Sequence, residues 1–250
     1  MCSREHSVDM ETAGWLPASS ALSLARAVAL DLDGVLIDGM PFHVEAWRQA
    51  FETVGARVDP LDLYMREGMR SGDVVASLCA SGKVTLSDRQ RAQVSEAKRE
   101  IYAEIFGVVP LPGGPDLARL LGSFGYSLAL VTGTSQVAAR RAIDDLGLSE
   151  HFSVVIDGDS VTAGKPEPDS YLAAARLLGV PAATCLAVEN APPGVASALA
   201  AGLHCLAVAT YLPIDAVANA TRAFATMAEL SAWFRREWAV SGGRGPWLFD

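Results

Sequence analysis

The chain has 250 residues, and its 29 Asp and Glu against 20 Lys and Arg give a formal net charge of −9. Apolar residues make up 50% of the sequence, which is enough to bury a full core and excludes a disordered, collagen-like or coiled-coil protein. The acidic balance argues against a nucleic-acid-binding protein that depends on phosphate contacts. It does not exclude a small anionic ligand, because the local placement of charge matters more than the net charge.

The cysteines and the N-terminal segment indicate a cytoplasmic protein. The cysteines are Cys2, Cys79, Cys185 and Cys205. They show neither a CxxC nor a zinc-ligand spacing, so we expect reduced thiols. Residues 1–24 mix acidic and basic side chains, lack the apolar stretch of a signal peptide and are predicted to form a tail. The apolar run at 21–37 is interrupted by Arg26, Asp31 and Asp33, which excludes a membrane span there.

Five short apolar runs predict the strands of a parallel sheet. They are Ala27–Leu36, Ser127–Thr132, Phe152–Ile156, Cys185–Val188 and His204–Ala209. Several of them lack polar alternation, which is typical of strands covered on both faces. Helical periodicity between most of the later runs, as in Ser135–Leu146 and Ser170–Leu178, predicts strand–helix alternation. The expected fold class is therefore α/β, with a doubly wound parallel sheet.

The segment between the first two predicted strands breaks this alternation. It shows helical patterns at Phe42–Thr53, Pro60–Met69, Asp73–Ala80 and Ser87–Phe106, and it ends in a stretch rich in Pro and Gly at 110–115. We predict a small all-helical cap domain at 40–110, inserted after the first strand. The core domain then comprises residues 25–39 and 111–250.

Two aspartates at the end of the first predicted strand, in Asp31-Leu32-Asp33-Gly34-Val35, carry the strongest functional signal. Ligands of open α/β sheets bind at the carboxyl ends of the strands, and side chains at i and i+2 of a strand point the same way. Two adjacent carboxylates need a cation or a proton to offset their repulsion, and Mg²⁺ prefers oxygen ligands. A simple turn after a strand is the alternative, because Asp-Gly is common in turns.

Three further motifs follow later predicted strands. Thr132-Gly133-Thr134 precedes a helix, where a hydroxyl and backbone N–H groups could bind phosphate oxygens. Lys165 lies between Gly and Pro, which indicates a fixed cation, and Glu189-Asn190 ends the fourth strand with further oxygen atoms. Taken singly, the motifs also fit an ordinary strand–helix turn, a solvated lysine and a helix N-cap.

As a set, these motifs resemble the haloacid dehalogenase (HAD) superfamily. The order and spacing of Asp31–Asp38, the Thr132 turn, Lys165 and Glu189-Asn190 are similar to its β-phosphoglucomutase-like and phosphatase-like branch, which carries a helical cap after the first strand. The resemblance extends over residues 27–230 and implies a Rossmann-like HAD core.

The resemblance implies a role for each motif residue. Asp31 is expected to be the nucleophile that accepts a phosphoryl group, and Asp33 the general acid and then base. Two carboxylates are needed because one group cannot both attack phosphorus and donate a proton. Thr132 and Lys165 complete the expected catalytic set, and together with Gly133 they would hold the phosphoryl oxygens.

The resemblance also implies Mg²⁺, held by Asp31, the backbone carbonyl of Asp33 and either Glu189 or Asn190. The family usually has an acidic residue where this chain has Asn190, and a neutral amide oxygen is a weaker ligand than a carboxylate. Glu189 could ligate instead, the Asn190 amide could ligate with lower affinity, or the site could be impaired. We favour an active enzyme because the other four positions are intact.

Two residues of the predicted cap are candidates for substrate binding. His43 resembles a residue that β-phosphoglucomutases keep near the hinge, and an exposed helix histidine is the alternative. Arg70 lies in a predicted cap loop and suits bidentate recognition of phosphate or carboxylate, although a surface arginine is an equally simple reading. Gly39 lacks the hydroxyl that mutase-like relatives often carry at this position.

The function expected from the resemblance is Mg²⁺-dependent hydrolysis of a phosphomonoester of a small metabolite, with sugar phosphates as the first choice. A β-phosphoglucomutase-type phosphotransferase and a non-catalytic binding or regulatory protein are the alternatives. The missing hydroxyl at Gly39 favours the hydrolase. The expected partner is a small phosphorylated substrate, with no nucleic acid and no membrane, and the protein is expected to be a monomer or homodimer.

Overall fold

The computed structural model describes residues 25–241, so the predicted tail at 1–24 lies outside the described residues. Its strands are β1 (Ala27–Leu30), β2 (Ser127–Val131), β3 (Phe152–Ile156), β4 (Cys185–Glu189), β5 (His204–Val208) and β6 (Arg222–Phe224). They form one parallel sheet of six strands in the order β3-β2-β1-β4-β5-β6. This arrangement confirms the predicted doubly wound α/β fold.

The central strand β1 positions the site. Leu30 pairs with Leu130 of β2 on one side and with Val188 of β4 on the other, so the three strands end at the same level. The strand order reverses direction at β1, and such a switch point opens a crevice at the carboxyl edge of a parallel sheet. The residues that follow β1, β2 and β4 therefore converge at this crevice.

The first strand is shorter than its apolar run predicted, because it ends at Leu30 rather than Leu36. Beyond Asp31 the chain folds back on itself, with the amides of Leu36 and Ile37 both donating to the Leu32 carbonyl. This loop is as buried as the strand, so its residues are apolar too and the sequence shows one apolar run through both. The sequence did not predict β6, whose three residues run from exposed Arg222 to buried Phe224 and are too few to give a clear pattern.

Helices cover both faces of the sheet and fill the long connection after β1. They are α1 (Met40–Glu52), α2 (Pro60–Tyr64), α3 (Ser71–Ala80), α4 (Asp88–Ile105), α5 (Gly114–Ser123), α6 (Gln136–Asp145), α7 (Asp169–Leu178), α8 (Pro192–Ala200) and α9 (Met227–Val240). Side chains cap several of them, and Ser87 forms a capping box with Gln90 at the start of α4. Every helix in the described part of the chain is too short or too polar to cross a lipid bilayer.

The helices α1–α4, here called the helical insert (residues 40–105), have an apolar cluster of their own. It includes Trp47, Phe51, Leu63, Leu78 and Val94. Two other clusters lie on the two faces of the sheet, because side chains of β1 alternate between them. The insert is thus packed around its own side chains, while its division from the core as a domain stays a prediction.

Candidate active site

Asp31 and Lys165 form a buried ion pair at the carboxyl end of β1. Lys165 Nζ donates to Asp31 Oδ1 at 2.8 Å and to the Val131 carbonyl at 3.1 Å. It also lies 2.6 Å from Glu189 Oε1. Each of the three charged side chains is at most 2% exposed. The structure therefore brings the predicted nucleophile and the predicted cation into one cluster.

Burial controls the charge of this cluster. It raises the pKa of Asp31 to about 8, an effect that Glu189 increases and Lys165 opposes. Burial alone would lower the pKa of Lys165, but the Asp31 and Glu189 carboxylates raise it above the ordinary lysine value. Lys165 is therefore a cation at neutral pH. A pKa of about 8 disfavours the Asp31 carboxylate at neutral pH, and a further cation beside it would favour that ionised form.

Glu189 has contacts that differ from those of a metal ligand. Besides Lys165, its Oε1 accepts a hydrogen bond from the Tyr171 hydroxyl at 2.6 Å, and its Oε2 accepts one from the Asn190 amide N–H at 3.2 Å. A Cβ at Gly194 would overlap the carboxylate, so only glycine lets α8 begin this close to it. Glu189 is thus fixed by groups that orient it towards Lys165.

Asp33 lies two residues beyond Asp31, and its two carboxylate oxygens have different surroundings. Oδ2 accepts a hydrogen bond from the Thr134 hydroxyl at 3.1 Å and lies 3.4 Å from His43 Nε2. Oδ1 is buried and has no hydrogen-bond partner among residues 25–241. A Cβ at Gly39 would overlap Oδ1. Glycine at position 39, where mutase-like relatives often carry a hydroxyl residue, therefore leaves room for the Asp33 side chain.

His43 connects Asp33 to a buried lysine. Lys98 Nζ lies 2.9 Å from His43 Nδ1, and the imidazole stacks on Tyr102 with ring centroids 4.1 Å apart. Burial and Lys98 lower the pKa of His43. A neutral imidazole that accepts from Lys98 through Nδ1 carries its proton on Nε2, facing Asp33. Burial by itself would raise the pKa of Asp33, but His43, Thr134 and Lys98 lower it overall.

The turn after β2 contacts the helical insert. Thr132 is buried, and its hydroxyl oxygen accepts a hydrogen bond from the Thr134 amide at 3.1 Å. A Cβ at Gly133 would overlap the carbonyl of Gly68, which belongs to the loop between α2 and α3. Gly68 has a φ of +80°, and a Cβ there would come within 3.1 Å of Lys165 Cδ. Glycines on both sides thus let the insert lie directly on the site.

Arg70 lies at the rim of the site rather than at its centre. Its Nε donates to Asp73 at 2.8 Å, and its Nη1 donates to the Val161 carbonyl of the core at 3.3 Å. The side chain also packs on Gly164, just before Lys165. Arg70 therefore joins the insert to the core and lines the entrance, with part of its guanidinium already engaged.

Glu67 and Asn190 are two buried polar side chains that face each other and have no third partner in the described chain. Glu67, from the loop before α3, is 5% exposed and Asn190 is 1% exposed. The carboxylate and the side-chain amide hydrogen-bond at most to each other. A Cβ at Gly34 would overlap the Asn190 amide and lie 3.0 Å from Glu67 Oε1. Burial raises the pKa of Glu67 well above its usual value.

Two cavities adjoin these residues and share Thr134 and Lys98 in their walls. The larger, of about 440 Å³, opens between the insert and the core. Its basic lining residues are Arg70, Lys98, Arg99 and Arg141. The smaller, of about 40 Å³, is bordered by Asp33, His43 and Glu67. The site thus has a larger cavity with several basic residues in its wall and a small space next to Asp33.

The residues present fit a hard divalent ion, although residues 25–241 hold no ready group of three His, Cys, Asp or Glu side chains arranged around one point. Asn190 Oδ1 is buried without a hydrogen-bond partner, next in sequence to Glu189 and at the same end of the sheet as Asp31. Carboxylate, carbonyl and amide oxygens are the ligands that Mg²⁺ prefers. The chemistry of the donors therefore suits Mg²⁺ at Asp31, Asp33 and Asn190.

Several residues of this site were not singled out by the sequence. Glu67 lies three residues before the candidate Arg70, and Thr134 ends the turn at Thr132, but no role is predicted for either of them. Lys98 and Tyr171 lie on long helical patterns that give no sign of burial. A charged residue on the inward face of an amphipathic helix is the signal that could have identified Lys98.

The fold and the site define an α/β enzyme that gathers two aspartates and a lysine at the switch point of a parallel sheet, beneath a helical insert. The family model of the haloacid dehalogenase-like hydrolases matches residues 25–202. The chain belongs to this family, which confirms the predicted resemblance.

Relatives and solved structures agree with this membership. The chain is 34% identical over 194 residues to hexitol phosphatase A of Escherichia coli (strain K12), covering 73% of this chain and 82% of the relative. It is 27% identical over 197 residues to β-phosphoglucomutase of Bacillus subtilis (strain 168), covering 76% and 85%. The crystal structure of CbbY from Rhodobacter sphaeroides in complex with phosphate has a TM-score of 0.69 at 27% identity, covering 82% of this chain and 96% of that one.

Proposed function

We propose that the protein is a Mg²⁺-dependent phosphatase that hydrolyses monoesters of small phosphorylated metabolites, with sugar phosphates as the substrate class. The observation that carries the proposal is the buried Asp31–Lys165 pair, with Asp33 two residues further on and a basic cavity that reaches the turn after β2 at Gly133 and Thr134. The similarity to a hexitol phosphatase supports the same class of substrate.

The first chemical step transfers the phosphoryl group to Asp31. Lys165 holds Oδ1 of Asp31, so the second carboxylate oxygen attacks phosphorus. A phosphorus–oxygen bond to Asp31 forms while the bond to the ester oxygen breaks. Asp33 gives a proton from Oδ1 to the departing oxygen, which leaves as an alcohol. The incoming phosphate adds negative charge beside Asp33 and raises its pKa, which favours that proton.

The second step returns Asp31 to its carboxylate form. Asp33, now a base, removes a proton from water, and the water oxygen attacks phosphorus. The bond between phosphorus and Asp31 breaks, and inorganic phosphate leaves. The hydrogen bonds from Thr134 and His43 lower the pKa of Asp33 and favour this basic form.

The remaining residues stabilise charge during both steps. Lys165 and the Thr132 hydroxyl are placed to hold phosphoryl oxygens, with the Gly133 amide as an additional donor. Mg²⁺ would supply positive charge that offsets the phosphoryl and aspartate oxygens, and Asp31, the Asp33 carbonyl and Asn190 would hold it. Glu189 has its oxygens engaged, so we assign it to orienting Lys165 rather than to the ion.

The larger cavity supports a small, anionic substrate. A volume of about 440 Å³ is within the range of small-molecule sites, which is roughly 300–1,000 Å³. Lys98 and the rim residue Arg70 give its walls positive charge although the whole chain is acidic. His43 contributes through Asp33, which it faces. A phosphorylated polyol or sugar is the class of ligand that fits this charge and size.

A phosphotransferase of the β-phosphoglucomutase type is the second candidate, and the similarity to the Bacillus subtilis relative favours it. It would use the same first step but pass the phosphoryl group to a sugar hydroxyl instead of water. A monomer or homodimer in the cytoplasm fits either candidate and stays a prediction.

A panel of sugar phosphates and organic-acid phosphates, assayed with and without Mg²⁺, tests the proposal. We expect Mg²⁺-dependent release of inorganic phosphate from one or more sugar phosphates. Conversion of a hexose 1-phosphate to its 6-phosphate, with little free phosphate, would favour the phosphotransferase instead. Inactivity on the whole panel in excess Mg²⁺, together with no detectable Mg²⁺ binding by calorimetry, would point to the non-catalytic alternative.

A further inference from the structure

Glu67 is a buried carboxylate that the proposed reaction does not use. It comes from the helical insert, yet its side chain reaches the core next to Gly34 and Asn190. Among the described residues its oxygens pair with no cationic side chain, and the Asn190 side chain is the one neighbour that lowers its pKa. Burial disfavours the charged form, so the carboxylate needs a proton or a cation beside it.

The surroundings of Glu67 indicate that this group is a cation. No basic side chain in the described part of the chain forms an ion pair with it, since Lys165 is held by Asp31 and Glu189 and Lys98 by His43. Glu67 and Asp33 both line the cavity of about 40 Å³, which has room for one ion or one water molecule on the insert side of the Glu67 carboxylate, whereas Asn190 lies on its core side.

Asn190 explains why an additional carboxylate would be needed here. Its amide oxygen is buried and unpaired beside Glu67, but it carries no charge. Glu189, the adjacent acid, already receives Lys165 and Tyr171 on one oxygen and a backbone N–H on the other. Position 190 therefore lacks a negative charge, and Glu67 of the helical insert brings a carboxylate next to it.

We propose that Glu67 is a ligand of the divalent ion, supplying from the helical insert the carboxylate that Asn190 does not provide. The inference rests on the proposed function to the extent that a divalent ion binds beside Asp31. It adds that ion binding requires the insert to lie on the core, since a movement that separates Gly68 from Gly133 also withdraws Glu67.

Mg²⁺ binding without substrate tests this, measured by titration calorimetry and by the rise in Tm that Mg²⁺ produces in the full chain. In Glu67→Gln we expect at least about a tenfold loss of Mg²⁺ affinity and a smaller Mg²⁺-induced rise in Tm. Without Mg²⁺, the Tm of this variant should be little changed, because the amide is nearly the same size as the carboxyl group and burial already disfavours the charge that it replaces. Glu104→Gln, an exposed carboxylate on α4, is the control and should bind Mg²⁺ normally.

The double variant Glu67→Gln/Asn190→Asp moves the carboxylate back to position 190 and is expected to recover most of the lost affinity. If Glu67→Gln does not fold, Glu67→Asp keeps the charge but shortens the side chain, and weaker binding is again expected. An unchanged Mg²⁺ affinity and an unchanged Tm rise in Glu67→Gln, or in Glu67→Asp if only that variant folds, would overturn the inference. If phosphate release by the natural enzyme is Mg²⁺-dependent in that case, the proposed function survives and only the role of Glu67 is wrong.

Discussion

Lys165 Nζ lies 2.8 Å from Asp31 Oδ1 and 2.6 Å from Glu189 Oε1, in a cluster from which solvent is almost excluded. The two carboxylates come from neighbouring parallel strands, while the lysine reaches them from the connection between β3 and α7. One ammonium thus fixes two carboxylates at the point where the strand order reverses. Stability and the proposed chemistry therefore depend on the same contact.

Replacing Lys165 with Met is expected to lower both the free energy of unfolding and the phosphatase activity. It leaves Asp31 and Glu189 buried without their cation, which costs about 3–5 kcal/mol when one partner of a buried pair is removed. Phosphatase activity should fall by about 10²–10³-fold, as when one donor to a developing oxyanion is lost. Urea unfolding and steady-state kinetics measure the two effects.

Lys83→Met is the matched control for this variant. Lys83 pairs with Asp62 at 3.2 Å, but the lysine side chain is 50% exposed, and exposed pairs contribute about 0–1 kcal/mol. We expect little change in unfolding free energy or turnover. Equal effects of the two substitutions would contradict the importance of the buried cluster.

Adding a methyl group at Gly39 tests the position of Asp33. A Cβ at this residue would overlap Asp33 Oδ1, the atom that we assign to proton transfer. In Gly39→Ala the carboxylate has to rotate away, and a displacement of ~1 Å at a reacting group costs about 10²-fold in rate. We expect a large fall in kcat with a folded protein, as judged by circular dichroism. A kcat equal to that of the natural enzyme would show that Asp33 does not need this space.

Asp33→Asn separates the two chemical steps. The amide cannot remove a proton from water, so hydrolysis of a phosphorylated Asp31 should slow more than its formation. Intact-mass spectrometry after mixing with substrate is expected to show a slowly formed species heavier by one phosphoryl group. If no such species forms while the natural enzyme turns the same substrate over, the assignment of Asp33 to the second step is wrong.

Lys98 predicts a particular dependence of stability on pH. Burial lowers its pKa from 10.5 to about 8, so between these values the unfolded chain binds more protons than the folded chain. The free energy of unfolding of the natural protein, relative to that of Lys98→Met, should therefore rise as the pH increases from about 8 to 10.5. Below about pH 8 the buried ammonium is charged and destabilises the folded state fully. Urea unfolding of both proteins between pH 7 and pH 10 gives the difference. A difference independent of pH would mean that Lys98 titrates normally.

The sheet could be predicted from the sequence because its strands are buried on both faces and read as continuous apolar runs. The end of β1 could not be predicted from burial, because the loop at Val35 and Leu36 is equally buried and equally apolar. Burial could not reveal β6, where Arg222 is exposed and Phe224 is buried over only three residues. Burial is what the pattern records, whereas a strand is defined by hydrogen bonds to its neighbours.

The residues at strand ends could be predicted as a site because parallel topology brings them together. Glu67 and Lys98 could not, since both come from the helical insert and reach the site only through the way it lies on the core. The tight contact between Gly68 and Gly133 decides this, and although Gly133 lies in a predicted turn, the sequence gives no sign that Gly68 packs on it. Sequence motifs therefore predict the site residues that the sheet topology brings together. The residues that reach the site through packing of the insert cannot be predicted in this way.

The most direct test of the central claim is phosphate release by Asp31→Asn, with Mg²⁺ and the best substrate of the panel. The account predicts a folded protein whose turnover is reduced by at least ~10³-fold, because the amide oxygen is a poor nucleophile for phosphorus. Turnover at the rate of the natural enzyme would contradict it.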